Sequence, residues 1–174
     1  MKFELKQQIA GTLDEVERAM MDQRYTPFLL AHHGVLLEAQ VLELKDQGTV
    51  IHRKVRYRPK PVIKAIGPKE IPPEWFAFVE TSSYDKKKKE LTFTNVPTSH
   101  SIASMLVNTG ALKLREVNGQ VERTASGEIQ VKVPFFLKPL AMIAERVIHA
   151  EGMKILEGEP PVMNRFLAEV FRKS

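Results

Sequence analysis

The segment Gly127–Leu156, GEIQVKVPFFLKPLAMIAERVIHAEGMKIL, changes its hydrophobic period once, at Pro134. Before the proline, Ile129, Val131 and Val133 alternate with Glu128, Gln130 and Lys132, the rhythm of a half-buried strand. After it, Leu140, Ile143, Ala144, Val147 and Ile148 recur at helical spacing. A strand with one apolar face therefore runs straight into a long helix with one apolar stripe. Each surface needs a cover, and that need constrains everything upstream.

Upstream, the pattern supplies a sheet. Phe3, Leu5 and Ile9 share one side of an opening strand, with Lys2, Glu4, Lys6 and Gln8 on the other. Gly11 ends it, and TLDE follows, in which Thr12 and Glu15 form a capping box for a helix carrying Leu13, Val16 and Met20. Pro27 interrupts that pattern, and PFLLAHHG restarts a short helix that Gly34 terminates. The middle of the chain is β-like. VLLEAQVLEL is apolar on parts of both faces, so its register is ambiguous. TVIHRKVRYRP alternates cleanly, with Ile51, Arg53, Val55 and Tyr57 on one face. KPVIKAIGPKEIPP holds too many prolines for a central strand and reads as a surface loop. WFAFVETSSY, ELTFTNV, SIASMLVN, ALKLREV and QVERTASGEIQVKV follow as strands, with Asn118-Gly119 as a hairpin turn. After the long helix, EGEPP weakens the pattern, and residues 161–172 form a short last helix with Val162, Phe166 and Val170 on one side.

The 174 residues are expected to form one α+β domain spanning residues 1–174. Two short helices follow the first strand. A curved antiparallel sheet of about six to seven strands then wraps around a long C-terminal helix. The first strand and the last long strand are expected to be neighbours, because both lead into helices on the same side. Curvature leaves space between sheet and helix, either filled as core or open as a cavity.

Composition narrows the function. The chain has no cysteine, which excludes disulfides, thiolate metal sites and cysteine nucleophiles and fits a reducing cytoplasm. The opening residues alternate apolar and charged, unlike a signal or transit peptide. The net charge of +5 comes from 26 basic and 21 acidic residues, interspersed, so a mixed soluble surface is expected rather than a nucleic-acid groove. Lys86, Lys87, Lys88 and Lys89 form the sharpest basic run. A solvated hairpin turn explains them, and they also offer weak contact with an anionic membrane surface, about 1 kcal/mol per lysine. The five histidines lack metal-ligand spacing, the nine glycines form no phosphate loop, and no nucleophile elbow is present. No cofactor or metal is expected.

The order of elements resembles the helix-grip fold of the START, pollen-allergen and polyketide-cyclase superfamily (SRPBCC). The resemblance rests most on F-x-L…I-x-G-T-x-D-E-V, residues 3–16, and on GEIQVKVPF…LAMIAERVI, residues 127–148, and it spans nearly the whole chain. These motifs are structural and carry no catalytic residue. The resemblance implies a bacterial-type member that holds a hydrophobic ligand, often a lipid, sterol or polyketide, between sheet and helix. Other members are cyclases, hydroxylase subunits or co-chaperones.

The candidate site follows from that placement. Ala141 and Ala144 either let the helix pack closely or shape a pocket with Ile143, Val147 and Ile148. Arg53 either grips a ligand carboxylate or phosphate or closes an internal salt bridge. Tyr57 offers a hydroxyl to a ligand or to the protein. Trp75 and Phe76 either gate an entrance or pin the proline-rich loop. Met105, Leu106, Met142, Met153 and Leu156 suit varied apolar ligands or ordinary packing. The expected ligand-contacting set is Arg53, Val55, Tyr57, Trp75, Phe78, Leu106, Ile143, Ala144 and Val147. Three functions stay open: a carrier of a hydrophobic small molecule, a cyclase-like enzyme using the same cavity, and a protein-binding module with a filled core.

Overall fold

A computed structural model describes residues 1–61, 65–66, 69–70, 72–132 and 138–173. Val133, the Pro134 switch, the side chain of Leu140 and parts of the predicted loop at residues 60–73 lie outside that description. Strand β1 is Lys2–Ile9, helix α1 Leu13–Met21 and helix α2 Tyr25–His32. Thr12 caps α1 as expected. Its Oγ1 accepts the Glu15 N–H at 3.3 Å, and Glu15 Oε2 accepts the Thr12 N–H at 2.9 Å. Pro27 falls in the first turn of α2, where a missing N–H is tolerated.

Strands β2 (Leu36–Asp46) and β3 (Val50–Pro59) form a hairpin. The two-residue strands β4 (Ala65–Ile66) and β5 (Lys69–Glu70) pair with each other in the predicted loop region. Trp75 and Phe76, expected at the start of a strand, belong instead to a short 3-10 turn, Pro73–Phe76, so β6 begins at Phe78 and ends at Asp85. Strand β7 is Glu90–Pro97. The front of SIASMLVN, expected as strand, is helical: His100–Ala103 forms α3, and β8 runs from Leu106 to Val117. Strand β9 is Gln120–Val131, joined to β8 by a tight turn with Asn118 at φ 52° and Gly119 at φ 77°.

The seven long strands form one antiparallel sheet in the order β1-β9-β8-β7-β6-β3-β2. The first strand and the last long strand are neighbours, with Phe3 opposite Gly127 and Ile9 opposite Val121. Gly110 and Gly127 face each other across β8 and β9 and let the sheet fold inward. A Cβ on Gly110 would lie 2.4 Å from the Ser126 carbonyl oxygen and 2.6 Å from the Phe93 ring. One on Gly127 would lie 2.4 Å from the Thr109 carbonyl oxygen and 2.7 Å from the Phe3 ring.

Helix α4, Lys138–Glu169, is 32 residues long and lies in the grip of the sheet. Its start is tied to β9 by the Glu145 carboxylate, which accepts the Val131 N–H at 2.8 Å. The separate last helix expected over residues 161–172 is not separate: α4 continues through Pro160 and Pro161, and only Phe171–Lys173 forms a distinct 3-10 turn. A proline inside a helix leaves the carbonyl four residues earlier without its donor. For Pro160 that carbonyl belongs to Leu156, and side chains fill the role. Gln7 Nε2 donates to it at 2.9 Å and Arg123 Nη2 at 3.1 Å. One residue earlier, the Ile155 carbonyl accepts from His33 Nε2 at 2.9 Å.

The dense core sits where α1, α2 and the last turns of α4 meet. Val16, Ala19, Leu29, Phe166 and Leu167 are buried there. Phe166 packs edge-on against Tyr25 and Phe28, at centroid distances of 5.3 Å and 5.4 Å.

Candidate functional site

Between the concave sheet and the earlier turns of α4 the core gives way to a cavity of about 470 Å³. Its size falls in the range of natural small-molecule sites. From α4 come Ala144, Val147, Ile148, Gly152, Ile155 and Leu156, one helical stripe with small residues at two positions. From the sheet come Phe3, Phe78, Phe93, Leu106, Leu112 and Ile129. The walls are therefore mostly apolar. Trp75 and Met105 line the cavity and are also solvent-exposed, so they mark an opening where β6 and β8 begin.

Of the nine residues expected to contact a ligand, Arg53, Tyr57, Trp75, Phe78, Leu106, Ala144 and Val147 line this cavity. Val55 and Ile143 do not. Val55 shares the inner face of β3 but is completely covered within the core cluster. Ile143 is 60% exposed. It precedes Ala144, and one residue is about 100° around a helix, enough to turn its side chain away from the stripe. Met142, also 57% exposed, points away for the same reason, whereas Met105, Met153 and Leu156 line the cavity.

The polar groups are few and they converge. Arg53 Nη2 donates to Glu80 Oε1 at 3.1 Å and its Nη1 to the Met20 carbonyl at 3.3 Å, so the internal salt bridge is the arrangement found. Arg123 Nη1 donates to Glu159 Oε2 at 2.5 Å, and its Nε donates to Gln7 Oε1 at 3.1 Å. Tyr57 on β3 and Tyr25 on α2 lie close enough to both ion pairs to interact with them electrostatically. Both phenols are pushed above their ordinary range, first by burial and next by a carboxylate, Glu80 for Tyr57 and Glu159 for Tyr25. They are therefore protonated hydroxyls throughout the physiological range. Neither hydroxyl has a hydrogen-bond partner among the described residues, although both residues are more than nine-tenths buried. Asn95 and Asn108 add amides to the sheet wall, and the buried Asn95 Oδ1 has no partner either.

Tyr25, Glu80, Arg123 and Glu159 were not singled out from the sequence. Tyr25 sits on a helix that is apolar all round, so no periodicity separates its cavity side. Arg123 sits on the inner face of β9, and its alternation with the buried Val121 and Ala125 was the available signal.

The lysine run lies elsewhere. Lys86–Lys89 turn the chain between β6 and β7, at the opposite end of β6 from Trp75. Lys86 Nζ holds Asp46 at 2.8 Å and Lys89 Nζ holds Glu17 at 2.8 Å. Asp85 accepts the Lys87 and Lys88 backbone N–H groups. Among the described residues, no group of histidine and acidic side chains is arranged to hold a metal ion, and no helix is long and apolar enough to cross a membrane.

Several solved structures share this fold at low identity. Zhui aromatase/cyclase from a Streptomyces species is 11% identical, with a TM-score of 0.65, over 96% of this chain and 95% of its own. Ara h 8.0201 is 10% identical, with a TM-score of 0.60, over 97% of each chain. TTHA0849 of Thermus thermophilus is 12% identical, with a TM-score of 0.62, over 94% of this chain and 97% of its own. No protein-family model and no curated protein matches the chain. The likeness establishes the helix-grip architecture that residues 3–16 and 127–148 suggested.

Proposed function

We propose that this helix-grip domain binds a hydrophobic small molecule, such as a lipid, between its sheet and α4, and acts by sequestering it. The observation that carries the reading is the cavity of about 470 Å³ walled by apolar side chains. A cavity of that size, opening beside Trp75 and Met105, suits a small apolar guest. Apolar walls also hold water poorly. Burial of an apolar ligand contributes about 25 cal/mol per Å² removed from water.

The test is titration with an apolar fluorescent dye, N-phenyl-1-naphthylamine, against the wild type and Ala144→Trp. The expected result is saturable, one-to-one binding that the indole abolishes while the fold, followed by circular dichroism, is retained. Unaltered dye binding in a folded Ala144→Trp would contradict the reading. So would broad unfolding of that variant together with no dye binding by the wild type, the behaviour of a filled core.

A second reading is supported by the convergence of Tyr25, Tyr57 and the two ion pairs on one cavity. It is cyclase-like chemistry, with a phenol as proton donor, and neighbours of the same fold are named as aromatase/cyclases. Its mark is turnover of a bound polyketone that Tyr57→Phe lowers without weakening dye binding. Any contact with an anionic membrane falls in this proposal first to Lys87, since Lys86, Lys88 and Lys89 are paired with Asp46, Asp85 and Glu17.

A further inference from the structure

The polar groups of the cavity say which chemical class of ligand it takes, an inference that rests on the binding reading above. Among the described residues, five charged side chains line the cavity: Arg53, Glu80, Arg123, Glu151 and Glu159. Each is already in an ion pair. Arg53 pairs with Glu80 through Nη2 and keeps its buried Nε without a partner, Arg123 pairs with Glu159, and Glu151 pairs with Lys154 at 2.6 Å. Arg123 also spends donors on Gln7 and the Leu156 carbonyl. A ligand carboxylate or phosphate would thus meet a glutamate beside each arginine, and among the described residues of the wall no guanidinium or ammonium charge is left without a counter-charge. Leaving an uncompensated anion in such a place is strongly unfavourable.

The phenols present the opposite case. Tyrosine hydroxyls in a protein interior usually find a partner. Tyr25 and Tyr57 line the cavity from opposite layers, helix α2 and strand β3, and neither hydroxyl has a partner among the described residues. They are near enough to each other to interact electrostatically. Each both donates and accepts, so together they fit a ligand hydroxyl or carbonyl oxygen.

We infer that the cavity selects an uncharged oxygenated amphiphile, an apolar body carrying a hydroxyl or carbonyl that Tyr25 and Tyr57 hydrogen-bond, and discriminates against the corresponding acid.

The test compares dodecanol with dodecanoate at pH 8 as competitors of N-phenyl-1-naphthylamine, in the wild type and in the Tyr25→Phe/Tyr57→Phe double variant. In the wild type dodecanol displaces the dye at concentrations at least about tenfold below dodecanoate, the cost of an unpaired charge setting the gap. In the double variant the affinity for dodecanol relative to the dye falls about tenfold, from two neutral hydrogen bonds lost. Equal or tighter binding of dodecanoate by the wild type overturns the inference, and that comparison needs no variant. Unchanged dodecanol affinity in a folded double variant also overturns it. Dye binding without any alcohol preference defeats this inference alone, whereas no binding of dye or either competitor defeats the cavity reading as well.

Discussion

Arg123 Nη2 donates to the carbonyl oxygen of Leu156 at 3.1 Å, across the boundary between strand β9 and helix α4. That carbonyl is the one Pro160 cannot serve, because proline has no N–H. A strand arginine therefore supplies the donor that the helix lacks, and the helix passes through two prolines without ending. The same guanidinium pairs with Glu159, so one side chain joins sheet, helix and cavity wall.

Removal of this arginine is expected to be costly. Arg123→Met leaves Glu159 without its partner and Leu156 with one donor fewer, a loss of about 3 kcal/mol. In a Pro160→Ala background the helix regains an N–H for Leu156, and the cost of Arg123→Met falls by about 1 kcal/mol. Urea unfolding of the four chains measures the cycle. Equal costs in both backgrounds would show that the proline and the arginine are independent.

The glycine pair in the sheet gives a second expectation. A Cβ at Gly127 meets the Thr109 carbonyl oxygen at 2.4 Å, and backbone cannot step aside as a side-chain tip can. Gly127→Ala should cost about 3 kcal/mol or more. Gly34→Ala, where a Cβ meets nothing within 4 Å, should stay within about 0.5 kcal/mol of wild type. Thermal melts of the two variants compare them directly, and similar melting points would contradict the crowding at Gly127.

Acid should expose the role of Glu15. Its carboxyl is held down to about 2, first by the Arg172 guanidinium and next by the Thr12 N–H, against an ordinary 4.5. A lowered carboxylate binds fewer protons folded than unfolded. Its contribution is complete above pH 4.5 and is lost as pH falls through 2. Glu15→Gln should therefore melt below wild type at pH 7 and converge with it near pH 2. A gap between the two that does not change with pH would contradict the assignment.

How much of this was legible in the sequence depends on how far apart the partners lie. The Thr12–Glu15 capping box and the Asn118-Gly119 turn are local, and both read correctly. So did the inner face of β3 carrying Arg53 and Tyr57, because strict alternation marks it. The ambiguous register of β2 has a physical source: the pairing shifts between Leu36 and Glu38 and again between Val41 and Glu43, so no single period runs through the strand. The break expected at EGEPP was a sound local inference that distant donors overrule, since Gln7 and Arg123 are far from Leu156 in sequence. Arg53 allowed a salt bridge or a ligand contact, and only the placement of β3 beside β6 brings Glu80 to it. Ile143 falls outside the cavity wall because a stripe of five apolar residues is wider than the face that meets the sheet.

The most direct measurement is native mass spectrometry of the purified chain, followed by organic extraction and a second run after incubation with dodecanol. The expected result is one uncharged apolar adduct per chain, either carried through purification or taken up from dodecanol, and absent from Ala144→Trp. A chain that stays at its unliganded mass under both conditions would contradict the claim that the space between sheet and α4 is a binding site.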